Sequence, residues 1–126
     1  MNTKNIVVCD DDSAFVSILK TILGKKQGFN VSVAINGEDG LSLVQQLHPC
    51  LLILDFNMPG KDGLSVLQDM KDMPAPRPYT ILLSANVRAE VHAQAKALGA
   101  DEIMIKPFKP SDLLSKIDDL VAKGQI

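Results

Sequence analysis

The sequence predicts an α/β fold in which a parallel sheet is covered by helices on both faces. Short apolar, β-branched stretches alternate five times with segments whose apolar residues recur at helical spacing, over 126 residues in all. Leu51–Leu54 is apolar at every position, whereas a strand with one solvent-exposed face would alternate apolar and polar residues. A strand buried on both faces and a regular strand–helix alternation together favour a parallel sheet between two helical layers.

The expected strands are runs of apolar residues bounded by turn-forming residues, and they span 5–9, 29–35, 51–55, 79–83 and 103–105. The second run alternates large apolar residues with small or polar ones, which is typical of an edge strand with one more exposed face. Its large apolar residues are Phe29, Val31, Val33 and Ile35. Prolines at 74, 76 and 78 predict an extended connector before the fourth strand, because proline disfavours a helix.

Between the strands, apolar residues recur at the spacing of one helix face. The expected inward-facing residues, helix by helix, are Phe15, Leu19, Ile22 and Leu23; Leu41, Val44 and Leu47; Leu64, Leu67 and Met70; Val87, Val91, Ala95 and Leu98; and Leu114, Ile117 and Val121. Asp12 or Ser13 can cap the first helix and Ser111 the last, since short polar side chains accept hydrogen bonds from free N–H groups. Gly99 is a plausible end for the fourth helix.

The expected topology is a flavodoxin-like, doubly wound sheet of five parallel strands and five helices. Crossovers between parallel strands are right-handed, so covering both faces requires the chain to reverse its direction of winding once. The strand order that results is 2-1-3-4-5, a common order for doubly wound sheets. We expect residues 1–126 to form a single domain, because the sequence contains no internal repeat and no low-complexity stretch.

The composition excludes several classes of function. The net charge is −2, with 13 basic and 15 acidic residues, which gives no electrostatic basis for direct nucleic acid binding or for binding to anionic membranes. No apolar run approaches the roughly 20 residues of a membrane span, and no signal peptide is visible. Cys9 and Cys50 lack C-x-x-C spacing and are expected to be buried thiols in a reducing compartment. These features predict a soluble, cytoplasmic protein without membrane insertion.

Polar side chains stand where four of the five expected strands end. The first strand ends on Asp10 and Asp11, the third on Asp55, the fourth on Ser84 and the fifth on Lys106. Ligands of doubly wound sheets bind at the carboxyl ends of the strands, at the point between strands 1 and 3 where the order reverses. We therefore expect these five side chains to lie together at one edge of the sheet.

The chemistry of this edge points to phosphoryl transfer. Three crowded carboxylates repel one another, and a divalent cation is the simple compensation. Oxygen ligands with open coordination positions suit Mg²⁺, which often binds substrate phosphate as well. Ser84 can donate a hydrogen bond and Lys106 can neutralise an incoming anion. Phosphoryl transfer depends mostly on such positioning and charge stabilisation, and an aspartyl phosphate is a known product of carboxylate attack.

Five stretches occur in fixed order along the chain: Val8-Cys9-Asp10-Asp11-Asp12, Leu54-Asp55-Phe56-Asn57-Met58-Pro59-Gly60-Lys61-Asp62-Gly63, Leu83-Ser84-Ala85, Gly99-Ala100-Asp101 and Ile105-Lys106-Pro107-Phe108. With these stretches the chain resembles the receiver domains of two-component response regulators, chemotaxis regulators among them, over nearly its whole length. An acidic pair alone would be a weak signal, whereas the ordered set is specific. The resemblance implies a signalling domain that is not an enzyme, apart from catalysing its own phosphorylation and dephosphorylation.

The resemblance implies how the phosphoryl group is received. Asp55 resembles the phospho-acceptor, which takes the group from a sensor histidine kinase or a phosphotransfer protein. Ser84 resembles the hydroxyl residue that turns toward the phosphoryl group, and Lys106 resembles the lysine that pairs with it. The face formed by the fourth helix, the fifth strand and the fifth helix is then expected to change shape and act on a downstream effector that the sequence does not identify.

The resemblance also implies a magnesium site. Asp11 resembles the direct ligand, and Asp10 resembles the acid that holds the metal through water. Asp55 is expected to share the metal, and the backbone carbonyl of Asn57 is expected to complete the protein ligands. Asn57 can serve as a turn former as well. Asp12 is expected to cap the first helix and not to bind the metal.

One position departs from the family pattern. Receiver domains often carry Tyr or Phe three residues before the lysine, and the ring swings inward on activation, but this chain has Ile103 there. Coupling from Ser84 to the outer face is therefore expected to be weak or to use another residue. His48 and His92 are expected at the surface, without a ligand set around them.

Two alternatives remain open. The segment Asp10-x-Asp12 also resembles the nucleophile motif of haloacid-dehalogenase-type phosphatases, which would make Asp10 the nucleophile and leave Asp55 without a role. Such phosphatases usually have a longer chain and a further acidic motif. The other alternative is a receiver-like interaction module that does not take phosphate. Ile103 slightly favours the module, whereas the complete set of polar residues at the strand ends argues against it.

Overall fold

The computed structural model describes residues 4–26, 28–74 and 76–126, and in these residues strands and helices alternate strictly. Their bounds are β1 Lys4–Cys9, α1 Ser13–Gly24, β2 Phe29–Ala34, α2 Gly37–Leu47, β3 Leu51–Asp55, α3 Gly63–Met70, β4 Tyr79–Ser84, α4 Ala89–Ala97, β5 Glu102–Ile105 and α5 Pro110–Ala122. The strands are parallel and lie in the order β2-β1-β3-β4-β5. The predicted flavodoxin-like, doubly wound topology is confirmed. Of the predicted proline connector, residue 75 lies outside the described residues.

Each face of the sheet has its own apolar core, because successive side chains of a strand point to opposite faces. On one face, Ile6 of β1 and Ile53 of β3 pack with residues of α1 and α5. On the other face, Val7 of β1 and Leu54 of β3 pack with residues of α2, α3 and α4. Every residue of β3 is buried, as its unbroken apolar run predicts. Fully burying one such side chain contributes about 1.5–3 kcal/mol, so the central strands are firmly held.

The buried face of α5 differs from the prediction. Its buried residues are Leu113, Ile117 and Leu120, whereas Val121 is exposed and Leu114 is only half-buried. Two apolar stripes pass through Ile117, and both have helical spacing. Periodicity alone therefore does not decide which stripe faces the core.

Within the part of the chain that the structure describes, no helix is long and apolar enough to cross a membrane.

The helices differ in how firmly they are packed against the sheet. In α4 a single residue, Ala95, is buried. Val87, which was predicted as the first inward-facing residue of α4, precedes the helix and is 71% exposed. A helix with so little buried surface gains little free energy from packing.

In the described residues, three of the five helices begin with a side-chain cap, whereas α4 and α5 do not. Asp12 caps α1, since its Oδ1 accepts a hydrogen bond from the N–H of Phe15 (3.2 Å). The prediction that Ser111 caps α5 is wrong, because the helix begins at Pro110, with Lys109 at the capping position and Ser111 already inside the first turn. Proline is favoured at the first helical position, where no N–H is needed, and the carboxylate of Asp112 accepts from the preceding N–H of Lys109 (3.1 Å).

The end of β2 departs from simple alternation. The strand stops at Ala34, which is buried, and Ile35 is exposed beyond it. Asn36 caps α2 directly afterwards, because its side chain accepts from the N–H of Asp39 (2.8 Å). The early turn into α2 leaves Ile35 outside the strand, which therefore ends one residue before the predicted bound.

Candidate functional site

The register of the sheet brings four strand ends to one edge. Asp55, the last residue of β3, lies beside Leu83 of β4, and Cys9, which precedes Asp10, lies beside Leu54. Because the strands are parallel, their carboxyl ends open into one crevice, at the point between β1 and β3 where the strand order reverses. The predicted polar edge is therefore present, and it carries the residues that end or follow β1, β3, β4 and β5.

Lys106 bridges the two buried carboxylates of this edge. Its Nζ lies 3.2 Å from Asp10 Oδ2 and 3.1 Å from Asp55 Oδ1. Asp10 is 0% exposed and Asp55 is 4% exposed, so both carboxylates have lost most of their contact with water. The backbone of Lys106 is held as well, since its N–H donates to the carbonyl of Ser84 (2.8 Å). Buried charges need a partner of opposite sign, and Lys106 is that partner for both.

Two aromatic rings stand beside the lysine. The Nζ atom of Lys106 lies 6.0 Å from the centre of the Phe15 ring, at the outer limit of a cation–π contact. Phe15 in turn meets Phe108 edge to face, with 5.9 Å between ring centres. The sequence predicted Phe15 only as a residue of the helix face. Its contribution to the wall of the site was missed because helical periodicity does not show which strand end a side chain will reach.

Three carboxylates form a cluster that suits a hard cation. Oxygen atoms of Asp10, Asp11 and Asp55 all lie within 4.8 Å of one another, and Asp11 is exposed whereas the other two are buried. The second oxygen of Asp10, Oδ1, accepts from the N–H of Asp12 (3.0 Å). Oxygen donors on a cluster with one solvent-facing member fit Mg²⁺, which keeps several of its waters. Asp12 is exposed and serves as a helix cap, in agreement with its predicted role.

Asn57 lies two residues beyond Asp55, in the loop that joins β3 to α3, and it is exposed. This loop is held close to the site by a hydrogen bond from the N–H of Gly63 to the carbonyl of Phe56 (2.8 Å). Gly63 has no room for a side chain, since a Cβ there would lie 2.5 Å from the carbonyl oxygen of Asp55. The loop position is compatible with Asn57 as a carbonyl ligand, and that role stays a prediction.

Without a metal cation, the charges of the carboxylate cluster are only partly compensated by Lys106. Burial, followed by the negative charge of Asp10, raises the pKa of Asp55 to about 6 from an ordinary value of 3.8, although Lys106 opposes the shift. Burial works against the charge of Lys106, but its hydrogen bond to Asp55 and the charge of Asp10 raise the pKa of the lysine. Asp55 is thus an ionised but poorly solvated carboxylate at neutral pH, a state that favours reaction with an electrophile or pairing with a cation.

Ser84 is buried at the end of β4, and its hydroxyl interacts with the loop that follows. Ser84 Oγ accepts from the backbone N–H of Asn86 (3.0 Å). The carbonyl of Asn86 lies 2.7 Å from Nε2 of His92, which is half-buried on α4. The sequence places His92 at the surface, whereas the structure shows it half-buried and in contact with this loop. Its spacing in the helix gives no sign of the contact, because the partner is a loop carbonyl.

The thiol of Cys9, the last residue of β1, contacts the two loops that flank the site. The thiol of Cys9 lies 3.2 Å from the carbonyl of Asn36 and 3.4 Å from Met58 Sδ. Burial, together with the nearby charges of Asp10 and Asp55, raises the pKa of the Cys9 thiol to about 12. The thiol is therefore a neutral packing group that contacts both the turn before α2 and the loop after β3.

Ile103 takes the place of the usual aromatic residue. It is half-buried and packs against the apolar core that includes Ala95 of α4 and Leu82 of β4. Tyr79 lies at the start of β4, and its hydroxyl donates to Glu102 Oε2 (3.3 Å). The starts of parallel strands lie at the opposite edge of the sheet from the carboxylates. Tyr79 therefore does not replace the missing ring.

Comparison with known proteins agrees with this geometry. The family model described as "Response regulator receiver domain" matches residues 6–118. A probable transcriptional regulator, ycf27, of Cyanophora paradoxa is 35% identical over 99% of this chain and 51% of its own length. The transcriptional regulatory protein PrrA of Mycobacterium leprae is 31% identical over 98% of this chain and 52% of its own length. The chain thus spans about half the length of these curated relatives.

Solved structures show the same fold over nearly the whole chain. The receiver domain of the Francisella response regulator 1452 has a TM-score of 0.83 at 26% identity, over 97% of this chain and 99% of that one. A CheY-like receiver domain protein from Methanospirillum hungatei has a TM-score of 0.84 at 28% identity, over 97% of this chain and 96% of that one. By its family match, its fold and its strand-end residues, the chain belongs to the response regulator receiver domains of two-component signal transduction.

Proposed function

We propose that Asp55 is the phospho-acceptor of this receiver domain and that residues 1–126 act as a single phosphorylation-controlled unit. The observation that carries the proposal is the buried pair of carboxylates, Asp10 and Asp55, bridged by Lys106 beside the exposed Asp11. This arrangement supplies a nucleophile, a cation and room for a metal within one crevice.

The donor is a phosphohistidine on a sensor kinase or a phosphotransfer protein. A carboxylate oxygen of Asp55 attacks phosphorus, an O–P bond forms, and the N–P bond of the phosphohistidine breaks. The histidine nitrogen leaves with the bonding electrons and takes up a proton, and Asp55 becomes an acyl phosphate. The domain catalyses only this transfer and the later hydrolysis, and it has no other product.

Asp10, Asp11 and Asp55 would hold Mg²⁺ together with the carbonyl of Asn57. When bound, the metal supplies positive charge that offsets the carboxylates and the phosphoryl oxygens. Lys106 Nζ, already 3.1 Å from Asp55, pairs with the phosphoryl group as its negative charge appears. Ser84 must give up the N–H of Asn86 to turn its hydroxyl toward the same group.

The output is a change in shape of the face formed by α4, β5 and α5, which meets a downstream effector. This is a population shift that a local charge event drives. The near-neutral charge of the domain gives no support for direct nucleic acid binding. The two free thiols, Cys9 and Cys50, support a reducing, cytoplasmic setting.

The phosphatase alternative is disfavoured by the environment of Asp10. Both of its carboxylate oxygens are engaged, Oδ2 with Lys106 and Oδ1 with the N–H of Asp12, and the side chain has no exposed surface. In Asp55, by contrast, Lys106 pairs with only one oxygen, Oδ1. Asp55 is therefore the better placed nucleophile.

The test is phosphorylation by a small acyl phosphate donor with Mg²⁺, followed by mass spectrometry of the digested protein. We expect one phosphoryl group on Asp55, none in Asp55→Asn, and the wild-type amount in Asp72→Asn, which alters an exposed carboxylate outside the site. Label on Asp10 would favour the phosphatase. The absence of both label and Mg²⁺ binding would contradict the proposal and favour the interaction module.

A further inference from the structure

The loop between β4 and α4 is held by hydrogen bonds that converge on Asn86. Its N–H donates to Ser84 Oγ (3.0 Å), and its carbonyl lies 2.7 Å from Nε2 of His92. A carbonyl can only accept, so the imidazole carries its proton on Nε2 and donates it. A hydroxyl of the site and an imidazole of α4 thus hold the same residue from two sides.

Both contacts involve the backbone of Asn86, not its side chain. The side-chain Oδ1 has a different partner, the N–H of Arg88 (2.9 Å), just before α4 begins. The helix start has no other side-chain cap, because Arg88 occupies the capping position without a capping hydrogen bond. The position of the first turn of α4 therefore depends on the loop, and the side chain of His92 contacts the backbone of Asn86 in that loop.

The usual aromatic route from the hydroxyl to this face is missing. Ile103 is packed into the core that it shares with Ala95, and an isoleucine has no ring that can swing between two positions. With Ala95 as the single buried residue of α4, the helix is weakly anchored and free to respond to a small force.

We propose that His92 is the positioning residue that couples Ser84 to α4 in this chain; the inference rests on the proposed function. When Ser84 turns to the phosphoryl group, the N–H of Asn86 loses its acceptor and the loop leaves its resting position. The bond from His92 to the Asn86 carbonyl makes α4 move with the loop. The displacement of the helix opposes phosphorylation, and by reciprocity phosphorylation displaces the helix.

This coupling predicts a distinctive result for removal of the imidazole. In His92→Ala the loop can move without the helix, so a phosphoryl mimic should bind more tightly although a contact has been lost. We expect about three- to tenfold tighter binding, the factor that one ordinary hydrogen bond contributes. A residue with a merely structural role would weaken binding or leave it unchanged.

The experiment adds beryllofluoride with Mg²⁺ to the protein in steps and follows backbone amide signals by NMR. In the wild type we expect signals of residues 84–86 and of α4 to shift together. In His92→Ala the signals of 84–86 should shift at lower beryllofluoride concentration and those of α4 should stay near their resting positions. His92→Gln keeps an N–H donor at similar reach and should restore wild-type behaviour, and Gln94→Ala, an exposed change on the same helix, should match the wild type.

The outcomes separate the two proposals. If the wild type shows no response to beryllofluoride, both the proposed function and the coupling are wrong. If the wild type responds normally and His92→Ala shows unchanged affinity with α4 still shifting, the coupling alone is wrong. A thermal unfolding scan of each variant verifies that it is folded, and a His92→Gln variant that behaves like His92→Ala would also overturn the role of the hydrogen bond.

Discussion

The two sides of the site are built differently. On the β1–β3 side, Asp10 directly follows β1 and Asp55 ends the fully buried β3, and Lys106 pairs with both carboxylates. On the β4–α4 side, Ser84 opens into a loop that ends at a helix with one buried residue, Ala95. The proposed nucleophile, Asp55, is therefore held by the central sheet, whereas His92, the proposed coupling residue, lies on the helix with the fewest buried residues.

This difference has a physical consequence for signalling. On the proposed function, a phosphoryl group on Asp55 would add negative charge at a point where the buried strands resist displacement, so the resulting strain would be relieved by movement of other segments. The nearest elements that can move at low cost are the β4–α4 loop and α4, where few apolar contacts are lost on displacement. The rigid surroundings of Asp55 and the weak packing of α4 would therefore act together, because the displacement would occur at the helix and not at the carboxylate.

The largest expected difference in stability is between a substitution of a core residue on the β1–β3 side and a substitution of an exposed residue on the β4–α4 side. Leu54→Ala removes a fully buried side chain beside Asp55 and should lower the free energy of unfolding by about 3–4 kcal/mol. Val87→Ala, in the β4–α4 loop, removes a side chain that is 71% exposed and should change it by less than about 0.5 kcal/mol. Urea unfolding at 25 °C measures both.

Hydrogen exchange extends this comparison to the backbone. Amides of β3 should exchange only through global unfolding, so Leu54→Ala should accelerate their exchange, whereas amides of α4 should exchange through local opening at a rate that Leu54→Ala barely changes. If α4 exchanges as slowly as β3, or if Val87→Ala costs as much as Leu54→Ala, the two sides do not differ in rigidity.

An intermediate effect on the free energy of unfolding is expected when the charge of Asp55 is removed. Its pKa of about 6 in the folded protein lies above the ordinary 3.8, so ionisation disfavours folding at neutral pH. Since one pKa unit corresponds to about 1.4 kcal/mol, Asp55→Asn should raise the free energy of unfolding by about 2–3 kcal/mol at pH 7.5 in the presence of a chelator. The gain should shrink as the pH falls from 6 and vanish below 3.8, where the carboxyl group is protonated in both states.

Mg²⁺ should narrow the difference in stability between the wild type and Asp55→Asn. The cation offsets the repulsion that destabilises the wild type, so its stabilising effect should be larger on the wild type than on Asp55→Asn. Asp72→Asn is the matched control and should change the free energy of unfolding by less than about 0.5 kcal/mol, both at pH 7.5 and at the lower pH values. Loss of stability in Asp55→Asn at pH 7.5 would show that Lys106 outweighs burial and the charge of Asp10.

The parts of the fold that the sequence predicts well are those set by local patterns. Contiguous apolar runs mark the buried strands, and a polar residue at the end of each run marks the edge where ligands bind, so Asp10, Asp55, Ser84 and Lys106 were placed together correctly. Asp12 was recognised as a cap because capping is a local interaction. These signals need no knowledge of which helix meets which strand.

The parts that were missed depend on contacts between distant segments. The inner stripe of α5 was placed on Val121 and not on Leu120, since both stripes share Ile117 and only packing against the sheet distinguishes them. The contact of His92 with Asn86 depends on the path of a loop, which has no period in the sequence. Local patterns therefore predict the residues of the β1–β3 side, whereas the contact between His92 and Asn86 on the β4–α4 side cannot be predicted from the sequence.

The smallest expected effect distinguishes the coupling bond from an ordinary surface pair. Arg88 Nε lies 2.8 Å from Glu90 Oε1, and both side chains are exposed at the start of α4. Exposed ion pairs contribute little, because water and salt screen them and the side chains lose freedom. Arg88→Ala should leave the urea midpoint unchanged and alter beryllofluoride affinity by less than about twofold, in low salt and high salt alike. The backbone N–H that meets Asn86 Oδ1 remains in this variant, so the loop keeps its other contacts. A shift as large as that expected for His92→Ala would mean that the charge at the helix start, and not the imidazole, controls α4.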